Sequence, residues 1–209
     1  MQGVVTQKSY WPMLLLILLF GLPPTAGWVF IMNPQWLPDK HKNRGVLVSP
    51  PRPLQPLALT DENDQPFDWN SVTGHWILIA HNRGVCETTC QQQLHALRQI
   101  RRAAGAERVR IDRLLIQDGG TTDAVTNSPS TYADGAKIVY LSADQQDRFN
   151  ALFSIPGINQ AHATYLADPN GMLMMGYAET SPTKDILKDL ETLLKASRNW
   201  TTGVNHGNG

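Results

Sequence analysis

The 209-residue sequence predicts one α/β domain behind an apolar amino-terminal helix. Three observations support this fold class. The run from Trp11 to Met32 holds no charged residue, short apolar runs alternate with segments of helical spacing further along, and the two cysteines stand where a predicted strand meets a predicted helix. Because the formal net charge is +0 and the basic residues are dispersed, nucleic-acid binding is disfavoured.

Residues 11–32 are predicted to form a transmembrane anchor, preceded by a short segment at 1–10. A helix of about 22 residues spans roughly 33 Å, enough to cross a hydrocarbon core of about 30 Å. The pair Pro23-Pro24 predicts a kink. The alternative is a cleaved signal peptide with a cut after Ala26.

The charges on either side of the anchor and the two cysteines give opposite predictions for the side of the membrane on which the domain lies. Lys8 precedes the run, whereas Lys40, Lys42 and Arg44 follow it. The positive-inside rule therefore favours a cytoplasmic carboxyl side. A redox pair instead favours the outer side, where disulfides persist.

Three segments are predicted after the anchor. Residues 33–56 are rich in proline, which favours an extended linker. Residues 57–197 are predicted to form the globular domain, and the tail at 198–209 is expected to be disordered.

Within the domain the order of elements is strand, helix, strand, hairpin and helix, which is an α/β order. Residues 57–67 predict strand, turn, strand. The later elements are predicted as strands at 74–81, 109–117 and 137–141, helices at 90–104, 144–153 and 183–195, and a hairpin joining 164–166 to 172–177.

Cys86 and Cys90 carry the chemistry that the sequence predicts. A helix start offers free N–H groups and the positive end of a dipole, which stabilise a thiolate. Four-residue spacing predicts both sulfurs on one face of the first turn, suited to one Cu(I) ion or to a disulfide. A static disulfide or a pair of buried thiols is the alternative.

The stretch GHWILIAHNRGVCETTC at 74–90 resembles the Sco/SenC copper chaperones of cytochrome oxidase assembly, and YLADPNG at 165–171 resembles a hairpin of thioredoxin-like proteins. The resemblance extends over about 57–194. It implies a thioredoxin-like fold, a central mixed sheet flanked by helices, on a membrane tether. It also implies copper as a cofactor, a respiratory oxidase subunit or another assembly factor as partner, and the lipid bilayer as a contact of residues 11–32.

Two departures from the Sco pattern affect the metal prediction. Gln91 stands where Sco proteins carry proline, and Gln160 stands at the position of their third copper ligand. His162 lies two residues beyond Gln160 and would share its face of a strand. We therefore predict His162 as the third metal ligand, with Cys86 and Cys90, or as a redox neighbour. An ordinary strand histidine is the alternative.

Other residues near the predicted site have weaker assignments. His81 ends the central strand and is predicted to face the core or to support the site. Asp118 is predicted as a turn cap rather than a catalytic group. Arg83 could favour a thiolate at Cys86 by its charge or could simply be solvated.

The resemblance implies a membrane-tethered assembly factor for a respiratory cytochrome c oxidase, acting by copper delivery or by thiol reduction of the copper site. Such a protein is a metallochaperone rather than a turnover enzyme. One alternative is a general membrane-anchored thiol–disulfide oxidoreductase, in which Cys86 attacks and Cys90 resolves. Another is a non-catalytic module with a fixed disulfide. The expected location is a bacterial inner membrane, with a single span and the carboxyl-terminal domain in the periplasm.

Overall fold

The computed structural model describes residues 10–33, 43–119 and 135–197. The chain divides into two compact units, Met1–Lys42 and Asn43–Gly209. The predicted tail at 198–209 and nearly all of the predicted segment at 1–10 lie outside the described residues.

The first unit holds helix α1, Trp11–Met32, whose bounds equal those predicted for the anchor. The helix continues through Pro23 and Pro24, and the Thr25 hydroxyl donates to the Gly21 carbonyl at 2.8 Å. The helix is long and apolar enough to cross a membrane.

The second unit has the predicted mixed sheet flanked by helices, and the sheet has six strands among the described residues. The strand order is β1-β6-β5-β2-β3-β4, in which β2, β3 and β4 run parallel and the other pairs are antiparallel. The elements are β1 Val46–Pro53, β2 Trp76–Arg83, α2 Thr88–Ala103, β3 Ile111–Asp118, β4 Lys137–Leu141, α3 Gln146–Phe153, β5 Thr164–Ala167, β6 Met172–Tyr177 and α4 Thr183–Ala196.

Strand β2 divides the core between the two faces of the sheet, because successive side chains alternate. Trp76, Leu78 and Ala80 pack with α2 and α4, on what we call the disulfide face. Ile77 and Ile79 pack with α3 on the opposite face. The disulfide face also buries Cys86, Cys90, Leu94, Leu97, Ile100, Tyr177, Ile186, Leu190 and Leu194. The opposite face also buries Leu54, Leu57, Leu114, Ile116, Val139, Phe149, Phe153 and Tyr165.

Strand β1 lies inside the segment 33–56 that the sequence analysis assigned to the linker. It pairs antiparallel with β6 at the edge of the sheet. Proline cannot donate to a ladder but is tolerated on an edge strand, which explains a strand in so proline-rich a sequence. The described residues of the domain therefore begin before residue 57.

Residues 57–67 do not form the two predicted strands. Thr60 makes single bridges to Pro66 and to Tyr140. The predicted turn is present, because the Asp61 carboxylate accepts the backbone N–H groups of Asn63 and Gln65 at 2.8 and 2.9 Å. Side-chain bonds to the local backbone compete with ladder formation, so the turn forms while the flanking strands do not.

Candidate functional site

Cys86 and Cys90 form a disulfide, with their Cα atoms 5.2 Å apart. Cys86 lies in the loop between β2 and α2, and Cys90 lies in the first turn of α2. The prediction that both cysteines share that first turn is wrong, because the helix begins at Thr88. Both are buried, with 4% of Cys86 and 1% of Cys90 exposed.

The turn before Cys86 is held by the carboxyl ends of two parallel strands. Gly84 has φ +76°, which an L side chain adopts only with strain, and its N–H donates to the Asp118 carbonyl at 2.8 Å. The Gly84 carbonyl accepts from the amides of Asn82 and Gln117, which also bond each other at 2.9 Å. The chain therefore enters α2 in a fixed direction.

Two features of α2 bear on the sulfur chemistry. Glu87 takes the N-cap position of the 16-residue helix without a side-chain cap bond. The free N–H groups of such a helix start favour a thiolate in the reduced protein. Gln91, at the position of the Sco proline, donates to the Cys86 carbonyl at 3.4 Å and so links the helix back to the loop.

His162 precedes β5, so the prediction that it shares one face of a strand with Gln160 is wrong. The segment that holds it is connected to α2 through Gln93. His162 has φ +64°, a left-handed backbone conformation that is uncommon for residues other than glycine. The Gln93 amide nitrogen donates to the carbonyls of His162 and Ala163 at 3.0 and 2.8 Å, and to the Thr164 hydroxyl at 3.2 Å. The segment that carries His162 therefore lies against the helix that carries Cys90.

Gln93 is a site residue that the sequence analysis missed. It lies on the buried stripe of α2 that also contains Cys90, Leu97 and Ile100. A glutamine at helical spacing within an apolar stripe is the signal that could have identified it, because a buried amide must find hydrogen-bond partners.

In this disulfide-bonded form the residues do not fit copper. A closed disulfide supplies neither of the two thiolates that the predicted site needs. Among the described residues, no three His, Cys, Asp or Glu side chains are placed to hold a metal ion. Cys86, Cys90 and His162 as copper ligands therefore remain a prediction for the reduced protein.

His81 faces the side of the sheet opposite to the cysteines, as a core residue. Its ring packs on Phe149 with centroids 4.5 Å apart, and its Nδ1 lies 3.0 Å from the Gln160 carbonyl oxygen. Burial lowers the pKa of His81, and the Gln160 carbonyl and then Asp118 oppose this effect. The buried ring of His81 therefore contacts the segment that holds Gln160, on the face of the sheet opposite to the sulfurs.

Asp118 and Arg83 pair with each other. Arg83 Nε donates to the Asp118 carboxylate at 2.8 Å, and His81 Nε2 lies 3.9 Å from the same oxygen. Arg83 and Asp118 are the last residues of β2 and β3, and they lie opposite each other in the sheet. The positive charge of Arg83 is therefore paired with the Asp118 carboxylate. His75 pairs with Asp112 at 3.0 Å, and His95 is exposed on α2.

The mixed sheet, the cysteine loop before a helix, and the β5–β6 hairpin define a thioredoxin-like protein. Residues 76–197, more than half of the chain, match the model of the family described as transmembrane-like, thioredoxin-like, C-terminal domain. The chain belongs to this family. No curated protein sequence matches it significantly.

Solved structures confirm the predicted thioredoxin-like fold. Apo Sco1 of Thermus thermophilus is 14% identical, with a TM-score of 0.56 over 74% of this chain and 99% of that one. Copper-bound yeast Sco1 is 14% identical, with a TM-score of 0.54 over 79% and 96%. The thioredoxin domain of a thiol-disulfide oxidoreductase from Bacteroides vulgatus is 14% identical, with a TM-score of 0.52 over 66% and 92%. At this identity the likenesses show the fold alone.

Proposed function

We propose that the protein is a membrane-tethered thiol–disulfide exchange factor with a Sco-like role in assembling a respiratory cytochrome c oxidase. The observation that carries the proposal is the Cys86–Cys90 disulfide at the start of α2. The adjacent Val85 is 60% exposed, so a partner can approach the loop that holds Cys86.

The exchange follows from the position of the two sulfurs. In the reduced protein the Cys86 thiolate attacks one sulfur of a partner disulfide, forms a mixed disulfide and frees one partner thiolate. The Cys90 thiolate then attacks the Cys86 sulfur, frees the second partner thiolate and closes the Cys86–Cys90 bond. Two electrons pass to the partner, whose thiolates take protons from solvent. A dithiol reductant on the same side of the membrane restores the reduced protein.

The Sco-like role is supported by the motif at 74–90 and by the shared fold. We propose thiol reduction of the oxidase copper site rather than copper delivery. The position that carries the third ligand in Sco proteins is occupied by Gln160, whose amide donates to the Asn150 carbonyl at 3.1 Å. The backbone carbonyl of Gln160 also lies 3.0 Å from His81 Nδ1. Both contacts hold Gln160 in the segment before β5.

The exchange activity is tested with the full chain in detergent, equilibrated in glutathione buffers and assayed by thiol alkylation. We expect the reduction potential of the Cys86–Cys90 pair to lie above about −300 mV, within reach of cellular thiols. Cys86→Ser should not exchange, and Cys90→Ser should form a trapped mixed disulfide. A potential below about −300 mV, with no trapped intermediate, would instead indicate a fixed structural disulfide.

Copper delivery is the second candidate, and it requires His162 in the reduced protein. Cu(I) titration of the reduced full chain tests it, with His95→Ala as the matched control because His95 is an exposed histidine of α2. Tight binding of one Cu(I) that is lost in His162→Ala but kept in His95→Ala supports delivery. Equal affinity in both variants rejects His162 as a ligand.

We propose that α1 anchors the chain in a bacterial inner membrane, with the domain in the periplasm. An oxidising compartment suits a disulfide, although the flanking charges favour the reverse orientation. Reporter domains fused after Gly209 test the orientation. Activity of a reporter that works only in the cytoplasm would overturn the periplasmic placement.

A further inference from the structure

The carboxyl-terminal end of α2 and the segment that follows it form a strongly basic surface. Between residues 98 and 113 there are six arginines and two carboxylates, Glu107 and Asp112, which leaves an excess of four positive charges. Six of the 18 basic residues of the chain thus fall in one short stretch, so they are less evenly dispersed than the sequence analysis states. Five of these arginines line one cleft of about 520 Å³: Arg98, Arg101, Arg102, Arg108 and Arg113.

The outer arginines of this basic surface are open to solvent. Arg102 and Arg108 are exposed, Arg98 and Arg101 are half-buried, and Arg113 is buried. Arg101 Nε donates to the carbonyl of the first residue of β3 at 2.8 Å, which fixes this side chain at the end of α2. Arg98, Arg102 and Arg113 also interact within the protein. What the surface offers a partner is therefore its local excess of positive charge, presented by the exposed side chains.

An exposed apolar side chain accompanies the arginines. Val109 lies between Arg108 and Arg110 in the short 3₁₀ helix Gly105–Arg110 and is 67% exposed, more than any other large apolar side chain in the described part of the domain. Arg110 pairs with Glu107 at 2.9 Å, so Arg108 supplies the excess charge of this turn. Arginine beside an exposed apolar group is typical of surfaces that lie in the headgroup layer of a membrane.

We propose that this basic surface docks the domain on anionic phospholipid headgroups of the membrane that α1 crosses. The proposal rests on the membrane anchoring proposed above and adds a second, reversible contact with lipid. Guanidinium groups bind phosphate oxygens through paired hydrogen bonds, and an anionic bilayer complements the excess charge. The membrane is favoured over a soluble anionic partner because α1 is long and apolar enough to cross a bilayer, which keeps headgroups at a high effective concentration.

Docking through this end of α2 leaves the disulfide available to a partner. Cys90 and Arg102 are both in α2 and are 12 residues apart, which corresponds to about 18 Å along the helix axis. The sulfurs thus lie at the end of α2 remote from the docked surface. Membrane docking and thiol exchange can therefore occur together.

Hydrogen exchange of the full chain in nanodiscs tests the docking. Nanodiscs of phosphatidylcholine alone are compared with nanodiscs that also contain phosphatidylglycerol. Each basic residue near an anionic surface contributes about 1 kcal/mol, or about fivefold in a binding constant. We therefore expect the backbone N–H groups of residues 105–110 to exchange at least fivefold more slowly with the anionic lipid at low salt, and high salt should remove the difference.

Two negative results have different meanings. Equal exchange with both lipids at low salt overturns the docking and leaves the anchor intact. Failure of the chain to enter nanodiscs of either composition overturns the anchor and this proposal with it. Neither result depends on whether the cysteines exchange, so the exchange function is tested separately.

A charge-matched pair of variants locates the contact. Arg108→Gln should reduce the protection by the anionic lipid about fivefold. Arg148→Gln is the control, because Arg148 is exposed on α3, on the opposite face of the sheet, and its loss changes the net charge equally. It should keep the wild-type protection, and thermal unfolding checks that both variants fold. If both variants lose protection equally, only the overall charge is sensed and this surface is rejected.

Inorganic phosphate distinguishes a membrane surface from a site for a small anion. Added to the chain in phosphatidylcholine nanodiscs, it should leave the exchange of residues 105–110 unchanged, because one small anion does not cover an extended surface. Protection equal to that given by phosphatidylglycerol would show that the arginine cleft binds free phosphate and would overturn the membrane docking.

Discussion

The two faces of the central sheet bury similar apolar clusters but different chemistry. On the disulfide face, Cys86 and Cys90 belong to the same cluster as Trp76 and Leu94. On the opposite face, aromatic rings stack around His81, and no cysteine is buried among them. The redox pair is therefore part of one half of the core. The stability of that half should depend on the redox state, whereas the other half should respond to pH.

Each face also contains a buried polar anchor. On the disulfide face the Asp189 carboxylate accepts the N–H groups of Arg44 and Gly45 at 2.8 and 2.9 Å, and the Tyr177 hydroxyl at 3.1 Å. Burial and then Asp189 raise the pKa of Tyr177 far above its usual range, so the phenol stays a donor. On the opposite face the corresponding contact joins His81 to the Gln160 carbonyl.

The largest expected effect is on the opposite face. Phe149 is fully buried and stacks on Phe153 with ring centroids 4.6 Å apart. Phe149→Ala should lower the free energy of unfolding by about 3–5 kcal/mol, through lost burial and a cavity. Chemical denaturation with and without reductant measures it. We expect the same loss in both redox states, because the cysteines pack on the other face. A loss that changes with redox state would show that the faces are coupled.

The next effect probes the anchor of the disulfide face. Asp189→Ala leaves the buried Tyr177 hydroxyl and the partly buried N–H groups of Arg44 and Gly45 without their acceptor. It should lower the free energy of unfolding by about 3 kcal/mol. Asp185→Ala is the matched control. Asp185 forms a partly exposed ion pair with Arg44 at 2.7 Å, so its loss should cost less than about 1 kcal/mol. Similar losses in both variants would contradict the role assigned to Asp189.

A smaller effect measures the link between the disulfide and its half of the core. Closing so short a loop should stabilise the folded chain by about 2 kcal/mol. The Cys86→Ser/Cys90→Ser double variant, compared with the oxidised wild type by denaturation, measures this contribution. No difference between the two would show that the redox pair is not linked to the stability of the disulfide face.

Elements set by local sequence were predicted closely. The bounds of α1, β4 and β6 match, and α4 ends one residue later than predicted. Strand β1 was not predicted, because its prolines taken alone indicate a linker. Only its pairing with β6, which is distant in the sequence, shows that the segment is a strand. The bond of Gly45 to Asp189 could not be predicted, because the two residues lie far apart in the chain and the local pattern carries no sign of their contact.

The pairing of Cys86 with Cys90 could be predicted from the sequence, whereas the contacts around the pair could not. The position of the two cysteines between a strand and a helix identified them as a pair. The pairing of Arg83 with Asp118 depends on the parallel register of β2 and β3, which places these two residues opposite each other. The sequence does not reveal the register of the two strands. For that reason Arg83 could equally be predicted to favour a thiolate at Cys86.

The smallest expected effect concerns the pH dependence of the opposite face. The pKa of His81 is lowered in the folded protein from its ordinary value of 6.5, mainly by burial. Below pH 6.5, His81 is therefore protonated more readily in the unfolded chain than in the folded protein, which lowers the free energy of unfolding. The stabilising contribution of the neutral ring is complete above that pH. It decreases as the pH falls below 6.5 and through the folded pKa.

His81→Gln removes this titration while keeping an amide that can donate to the Gln160 carbonyl. We expect the free energy of unfolding of this variant to fall less between pH 7.5 and pH 5 than that of the wild type. Phe149→Leu is the control, since it alters a contact of the same ring without removing a titrating group, and it should keep the wild-type pH dependence. If His81→Gln retains that dependence in full, the acid sensitivity originates elsewhere, and the faces differ in their response to redox state but not in their response to pH.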